Sequence, residues 1–116
     1  MIKTKNFYDV IKVFRRQLSK SDKQALRVLV HVYNNQTEFE VQSKSTINRN
    51  GFGFRQGDAK ALSEIAENYL RTGKVSKETM KILHRRMPAY AWQYTRDLKE
   101  NGTLVKTREG FKFDIH

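Results

Sequence analysis

Lys81, Arg85, Arg86, Tyr90, Gln93 and Arg96 fall within one short stretch, and they are residue types that meet nucleic acid. Lysine and arginine neutralise phosphates. Arginine and glutamine also have the donor geometry to read base edges, and tyrosine rings stack on bases. Lys106, Arg108 and Lys112 recur near the C-terminus, and Arg49 and Arg55 flank a glycine-punctuated loop. The chemistry on offer is contact with a polyanionic backbone.

A reaction finds no comparable support. His31, His84 and His116 are far apart in sequence, and His31 is read as an ordinary surface or packing histidine with no second ligand nearby. There is no HExxH, no nuclease-type carboxylate cluster and no activated nucleophile. Glu38, Glu40 and Asp58 do not by themselves make one. Gly51, Gly53 and Gly57 form neither a phosphate-binding P-loop nor a dinucleotide fingerprint, because no Gly-Lys-Ser/Thr is present and no buried strand precedes them. The expectation is a binding protein, not an enzyme, with no metal and no cofactor.

The charge balance points the same way. The chain has 23 Lys+Arg against 12 Asp+Glu, a formal charge of +11 and a pI near 10.1. Residues 1–58 hold 11 basic and 5 acidic side chains, and residues 59–116 hold 12 and 7. The excess is spread over the chain. A folded body this basic repels itself, which favours a polyanionic partner; the alternatives are a solvated basic surface or a patch for an acidic protein. With 116 residues, one domain is expected. Cysteine is absent, so disulfides and thiolate metal sites are excluded. No apolar run has the roughly 20 residues that a membrane helix needs. The expectation is a soluble, intracellular protein.

The elements that must position these residues follow from hydrophobic spacing. Phe7, Val10, Ile11, Phe14 and Leu18 lie on one helical face, with Lys12, Arg15 and Arg16 off it. Ser21-Asp22-Lys23-Gln24 has the capping-box pattern and opens a helix with the stripe Leu26, Leu29, Val30 and Tyr33. Asn34-Asn35 is expected to end it. Phe39-Glu40-Val41 fits a strand or a helix, and Ser43 to Arg49 reads as a polar, phosphate-contacting loop. Glycines at 51 and 53 let Phe52 and Phe54 turn inward. Asp58 is expected to cap a helix with the face Ala59, Leu62, Ile65, Ala66, Tyr69 and Leu70, stopped by Thr72-Gly73. Ser76 caps the next helix, with a Val75–Met80 staple, an inner side of Met80, Leu83 and Met87, and an outer side of Lys74, Lys77, Lys81 and Arg85. Pro88 starts another, ended by Asn101-Gly102. A β-hairpin closes the chain, with Phe111, Phe113 and Ile115 on one face and Lys112 on the other.

The fold class expected is mainly α with a C-terminal β-hairpin (α+β). Residues 1–116 form a single domain, with an N-terminal helical pair over 1–35 and a helix-turn-helix-like core with the hairpin over 50–116. The C-terminal half has winged-helix order: 76–87 as supporting helix, 88–101 as recognition helix, 103–115 as wing. In that geometry Tyr90, Gln93 and Arg96 are exposed to the major groove, Arg85 and Arg86 meet phosphates, and Lys106, Arg108 and Lys112 touch the backbone from the wing. An alternative makes Tyr90, Trp92 and Tyr94 a stacking platform for unpaired bases, although a lone tryptophan is more often core.

The stretch from Tyr33 to Tyr94 resembles a small module of phage and prophage proteins, often found beside DNA helicase and other replication or recombination modules. The residues that carry the resemblance are Tyr33, Gln36-Thr37, Glu40, Thr46, Asn50-Gly51-Phe52-Gly53-Phe54, Asp58-Ala59, Ser76-Lys77 and Tyr90-Ala91-Trp92-Gln93. Glu78 and Pro88 depart from the pattern, and the hairpin lies beyond it. The resemblance implies a phage-type accessory or regulatory protein acting on DNA, duplex or single-stranded, in the cytoplasm of an infected bacterium, with a helicase or host protein as a further partner. No helicase motor is present, so that activity does not carry over. The alternative is a small basic viral inhibitor or adaptor that grips an acidic surface of a host or viral protein.

Overall fold

The computed structural model describes residues 6–43 and 53–113. Arg49, the glycine-loop residues 50–52 and Ile115 lie outside the described residues. Among the described residues, five helices, one 3-10 turn and a hairpin follow in order: α1 (Phe7–Lys20), α2 (Asp22–Ser43), α3 (Ala59–Thr72), α4 (Lys77–Arg86), the 3-10 turn (Met87–Tyr90), α5 (Ala91–Glu100), β1 (Leu104–Lys106) and β2 (Phe111–Phe113). The chain is mainly helical with a C-terminal hairpin, as its periodicities require.

Local chemistry explains most boundaries. The Asn6 Oδ1 accepts from the Tyr8 amide at 2.9 Å and opens α1. The Ser21 hydroxyl accepts the Gln24 amide at 3.2 Å and opens α2. The return half of that capping box is missing, because Gln24 Oε1 instead accepts from Arg27 Nη1 at 3.3 Å. Ser76 Oγ accepts the Thr79 amide at 3.2 Å. Gly73 ends α3 in the left-handed region, at φ 72°, with its amide on the Tyr69 carbonyl.

Several expected boundaries and faces are corrected. Helix α2 runs through Asn34-Asn35 to Ser43, so Phe39-Glu40-Val41 has helical backbone. Asn35 does not compete with its own backbone, since its side chain bonds to α5. The buried face of α2 is Ala25, Val28, Leu29 and Val32, with Leu26 and Tyr33 at its margin. Residues 25–33 are apolar almost all round, so periodicity did not locate the inner face. Leu70, placed on the inner face of α3, is exposed. Asp58 precedes α3 without capping it, because its carboxylate is turned to Tyr90 and Arg86.

One core joins both halves of the chain. Phe14, Leu18, Leu29, Leu62, Leu83, Met87 and Leu104 are wholly buried in a single cluster. Helix α5 lies inside it, contributing Ala91, Tyr94, Thr95 and Leu98. The Phe14 and Tyr94 rings meet edge-to-face at 5.4 Å. The hairpin pairs Leu104 with Phe113 and Lys106 with Phe111, and the Phe111 ring sits 6.3 Å from that of Phe7.

His84 ties α4 to the α1–α2 corner. Its Nδ1 lies 2.9 Å from the Leu18 carbonyl and its Nε2 lies 2.6 Å from Asp22 Oδ1. Both ring nitrogens face acceptors, so the doubly protonated ring fits best. Burial pulls its pKa down, but the Leu18 carbonyl and the Asp22 carboxylate outweigh that and raise it above 6.5. A raised folded-state pKa contributes stability that is complete below the unfolded value and lost as pH rises through the folded one. The wild-type melting temperature should therefore fall across that window on the alkaline side of 6.5, and that of His84→Gln should not. Equal pH profiles for the two proteins would refute the assignment.

The Gly53 turn gives a second test. Its φ is +73°, and a Cβ there would lie 2.8 Å from Gln36 Cβ. Gly57 has open space around the same position. Gly53→Ala should cost about 1–3 kcal/mol in urea unfolding, and Gly57→Ala should stay within about 0.5 kcal/mol.

Candidate nucleic-acid interface

The structure divides the candidate residues into two groups. Lys81 and Arg85 lie on the outer side of α4, exposed together with Lys74 and Lys77. Lys106, Arg108 and Lys112 are exposed on the hairpin, and the Arg55 side chain is exposed before α3. None of these makes an ion pair with a described carboxylate. Arg49 lies outside the described residues.

The second group is turned inward, which overturns the recognition-helix assignment. Tyr90 and Gln93 are only 2% and 5% exposed, so neither side chain is available to read a groove. The helix, turn, helix, hairpin order is present, but α5 lies in the core. Gln93 Oε1 accepts from the Gly53 amide at 3.0 Å, and Gln93 Nε2 donates to the Gly53 carbonyl at 3.0 Å. One side-chain amide thus pairs with both polar groups of a single residue. The Phe54 amide donates to Gln36 Oε1 at 2.8 Å. The Arg55 amide donates to the Tyr90 hydroxyl at 3.0 Å, and that hydroxyl donates to Asp58 Oδ2 at 2.7 Å. Arg86 closes the set on Asp58 Oδ1. The tyrosine pKa is raised, chiefly by burial and further by the Asp58 carboxylate.

Gln36, Gly53, Phe54, Asp58, Tyr90 and Gln93 are therefore one buried lock that fastens residues 53–58 to α2 and α5. Phe54 completes it, with its ring edge-to-face on Tyr90 at 5.8 Å. These residues carry much of the phage-module resemblance, and in this fold they are structural.

A second network was not foreseen. His31 and Asn35 on α2 face Gln93 and Asp97 on α5. Asp97 Oδ2 lies 2.8 Å from His31 Nε2 and accepts from Asn35 Nδ2 at 2.7 Å, while its Oδ1 accepts from Arg96 Nη2 at 3.0 Å. Asn35 Nδ2 also reaches Gln93 Oε1 at 3.0 Å, so the two networks are joined. Burial pushes the Asp97 pKa up, but His31, Asn35 and Arg96 outweigh it and hold the carboxyl below its ordinary value. The spacing was a usable signal: each helix offers two polar residues four apart, on the side next to its apolar stripe. Arg96, expected at a groove, is thus committed to Asp97, and its guanidinium carbon lies 4.9 Å from the centre of the Trp92 ring. Trp92 itself is not core, being 46% exposed.

A polar cleft of about 460 Å³ lies where α1 ends and α2 begins, with Lys23, Arg27, Gln17 and Tyr94 among its walls. Among the described residues, no three His, Asp or Glu side chains converge as metal ligands would. No described helix is long and apolar enough to cross a membrane. In comparisons with protein-family models, curated proteins and solved structures, nothing matches the chain.

Gln93 separates a structural from a recognition role. Gln93→Leu strands the Gly53 amide and carbonyl and one Asn35 donor, at about 1–3 kcal/mol for each buried orphan. Denaturant unfolding should show a loss of about 3 kcal/mol or more, with faster hydrogen exchange at the Gly53 amide. A loss within about 0.5 kcal/mol, as at ordinary surface positions, would contradict the lock.

Proposed function

We propose that this protein binds nucleic acid, DNA first, through its phosphates, as an accessory or regulatory protein of phage type in the bacterial cytoplasm. The observation that carries the reading is the arrangement of unpaired cations. Lys12, Arg16 and Lys20 recur every fourth residue on α1, and Lys77, Lys81 and Arg85 do the same on α4. Four residues of helix span about 6 Å, so each set makes a row along its helix. All are exposed, and none is paired with a described carboxylate. The two helices pack on each other, joined at His84 and Leu18. Among the described lysines and arginines, all but Arg96 are exposed, and Arg86 and Arg96 are the two held by carboxylates. Rows of unneutralised cations repel one another, and a polyanion relieves that repulsion while releasing its counterions. The phage setting rests on the sequence resemblance.

The interface proposed here excludes Tyr90 and Gln93 and gives Arg86 a structural part. It consists of the outer sides of α1 and α4, and Lys106, Arg108 and Lys112 on the hairpin, which packs on α5, offer further phosphate contacts. Contacts of this kind position a strand without reading its sequence. The competing reading, an adaptor that grips an acidic protein, uses the same cations and is separated by experiment.

Binding should weaken at least ~10-fold between about 50 and 200 mM salt. Lys77→Glu, Lys81→Glu and Arg85→Glu together should weaken it for all sequences and lower the logarithmic salt slope by about 3. A flat salt response would count against the proposal. Partners that survive nuclease treatment in a pull-down would favour the acidic-protein reading.

A further inference from the structure

We infer that the exposed ring of Trp92 seats an unpaired nucleobase, so that the protein favours single strands over duplex; this rests on the nucleic-acid reading above. Three observations lead there. First, α5 is an interior helix whose neighbouring positions Ala91, Gln93, Tyr94 and Thr95 are all buried, yet its tryptophan faces out. An indole ring gains more from burial than most side chains, so an open one has surface ready for a flat apolar partner.

Second, the ring has a cation beside it that is already in place. Arg96 lies 4.9 Å from the ring centre, and its Nε and Nη2 donate to Asp97 Oδ1 at 3.2 and 3.0 Å. Asp97 is in turn held by His31 and Asn35. The arginine side chain is only 16% exposed. Its position beside the indole is therefore set before any ligand arrives, which lowers the ordering cost of binding.

Third, the ridge continues in the same alternation. The Lys99 ammonium lies 4.9 Å from the Phe7 ring centre, about two turns beyond Trp92. Lys99 is exposed, so its ammonium can also meet a phosphate flanking the seated base. Aromatic and basic side chains interleaved along one groove or ridge are how proteins hold single strands irrespective of sequence, since every base has a π-face. A paired duplex keeps those faces stacked inside. Its phosphates remain available to the α1 and α4 rows, but its bases have no route to Trp92.

The chain holds a single tryptophan, so its emission reports on this ring alone. The test titrates the full-length protein with a labelled oligothymidylate of about 12 nucleotides and with a duplex of equal length, reading label anisotropy and tryptophan emission together. The single strand should quench the emission and the duplex should leave it nearly unchanged. Trp92→Ala should weaken single-strand binding by about 5- to 150-fold, the equivalent of about 1–3 kcal/mol for one stacked base, and duplex binding by less than about two-fold. Trp92→Phe keeps a ring and should retain most of the single-strand affinity, which controls for a folding defect in the alanine variant. If the strand binds by anisotropy without quenching, or binds the alanine variant as tightly as wild type, the base seat is wrong and the phosphate reading stands. If neither strand nor duplex binds at low salt, both fall.

Discussion

The rest of the structure depends on the pairing of Gln93 with the backbone of Gly53. A carboxamide has one donor side and one acceptor side, and a residue's own amide and carbonyl present the complement. Burying these groups without partners is unfavourable, so the match holds residues 53–58 against α5 in a single register. The backbone at Gly53 is left-handed, and a Cβ there would meet Gln36. From that anchor Phe54 enters the core, Arg55 presents its amide to Tyr90, and Asp58 meets the tyrosine hydroxyl. The start of α3 is placed by this lock, because Asp58 is taken up by Tyr90 and Arg86 and does not cap the helix.

The two networks also decide which cations remain available. Arg86 and Arg96 are answered by Asp58 and Asp97; the Arg96 pair is largely buried, while the Arg86 side chain stays partly in solvent. Such pairs are retained for position more than for net energy, since desolvation offsets much of their attraction. The outward rows on α1 and α4 have no such answer among the described carboxylates. The formal charge of +11 is therefore carried mostly by side chains in solvent, where it acts as a long-range field and weakens with salt. His84 marks the boundary between these regimes, with one nitrogen on the Leu18 carbonyl and the other on the exposed Asp22.

Trp92 shows how one helix serves both purposes. Its neighbours Gln93 and Tyr94 face the lock and the core, while Trp92, Arg96 and Lys99 share the outer side. Because Asp97 is adjacent in sequence to Arg96, the polar network that holds α5 against α2 also steadies the arginine beside the indole.

The sequence by itself determined the helical and hairpin elements, the caps at Ser21 and Ser76, the stop at Gly73, the inward turn of Phe54 and the outward row on α4. Each of these follows from spacing or from chemistry within a few residues. It did not determine where α2 ends, which side of α2 faces in, or whether Tyr90, Trp92 and Gln93 point to solvent. Asn35 continues a helix because Gln93 and Asp97 lie across from it, and Asp58 leaves its cap because Tyr90 and Arg86 are near. Those partners are distant along the chain. A polar side chain has the same local pattern whether it ends in water or in a buried bond, and only the packing of α2, α5 and residues 53–58 against one another chooses between them.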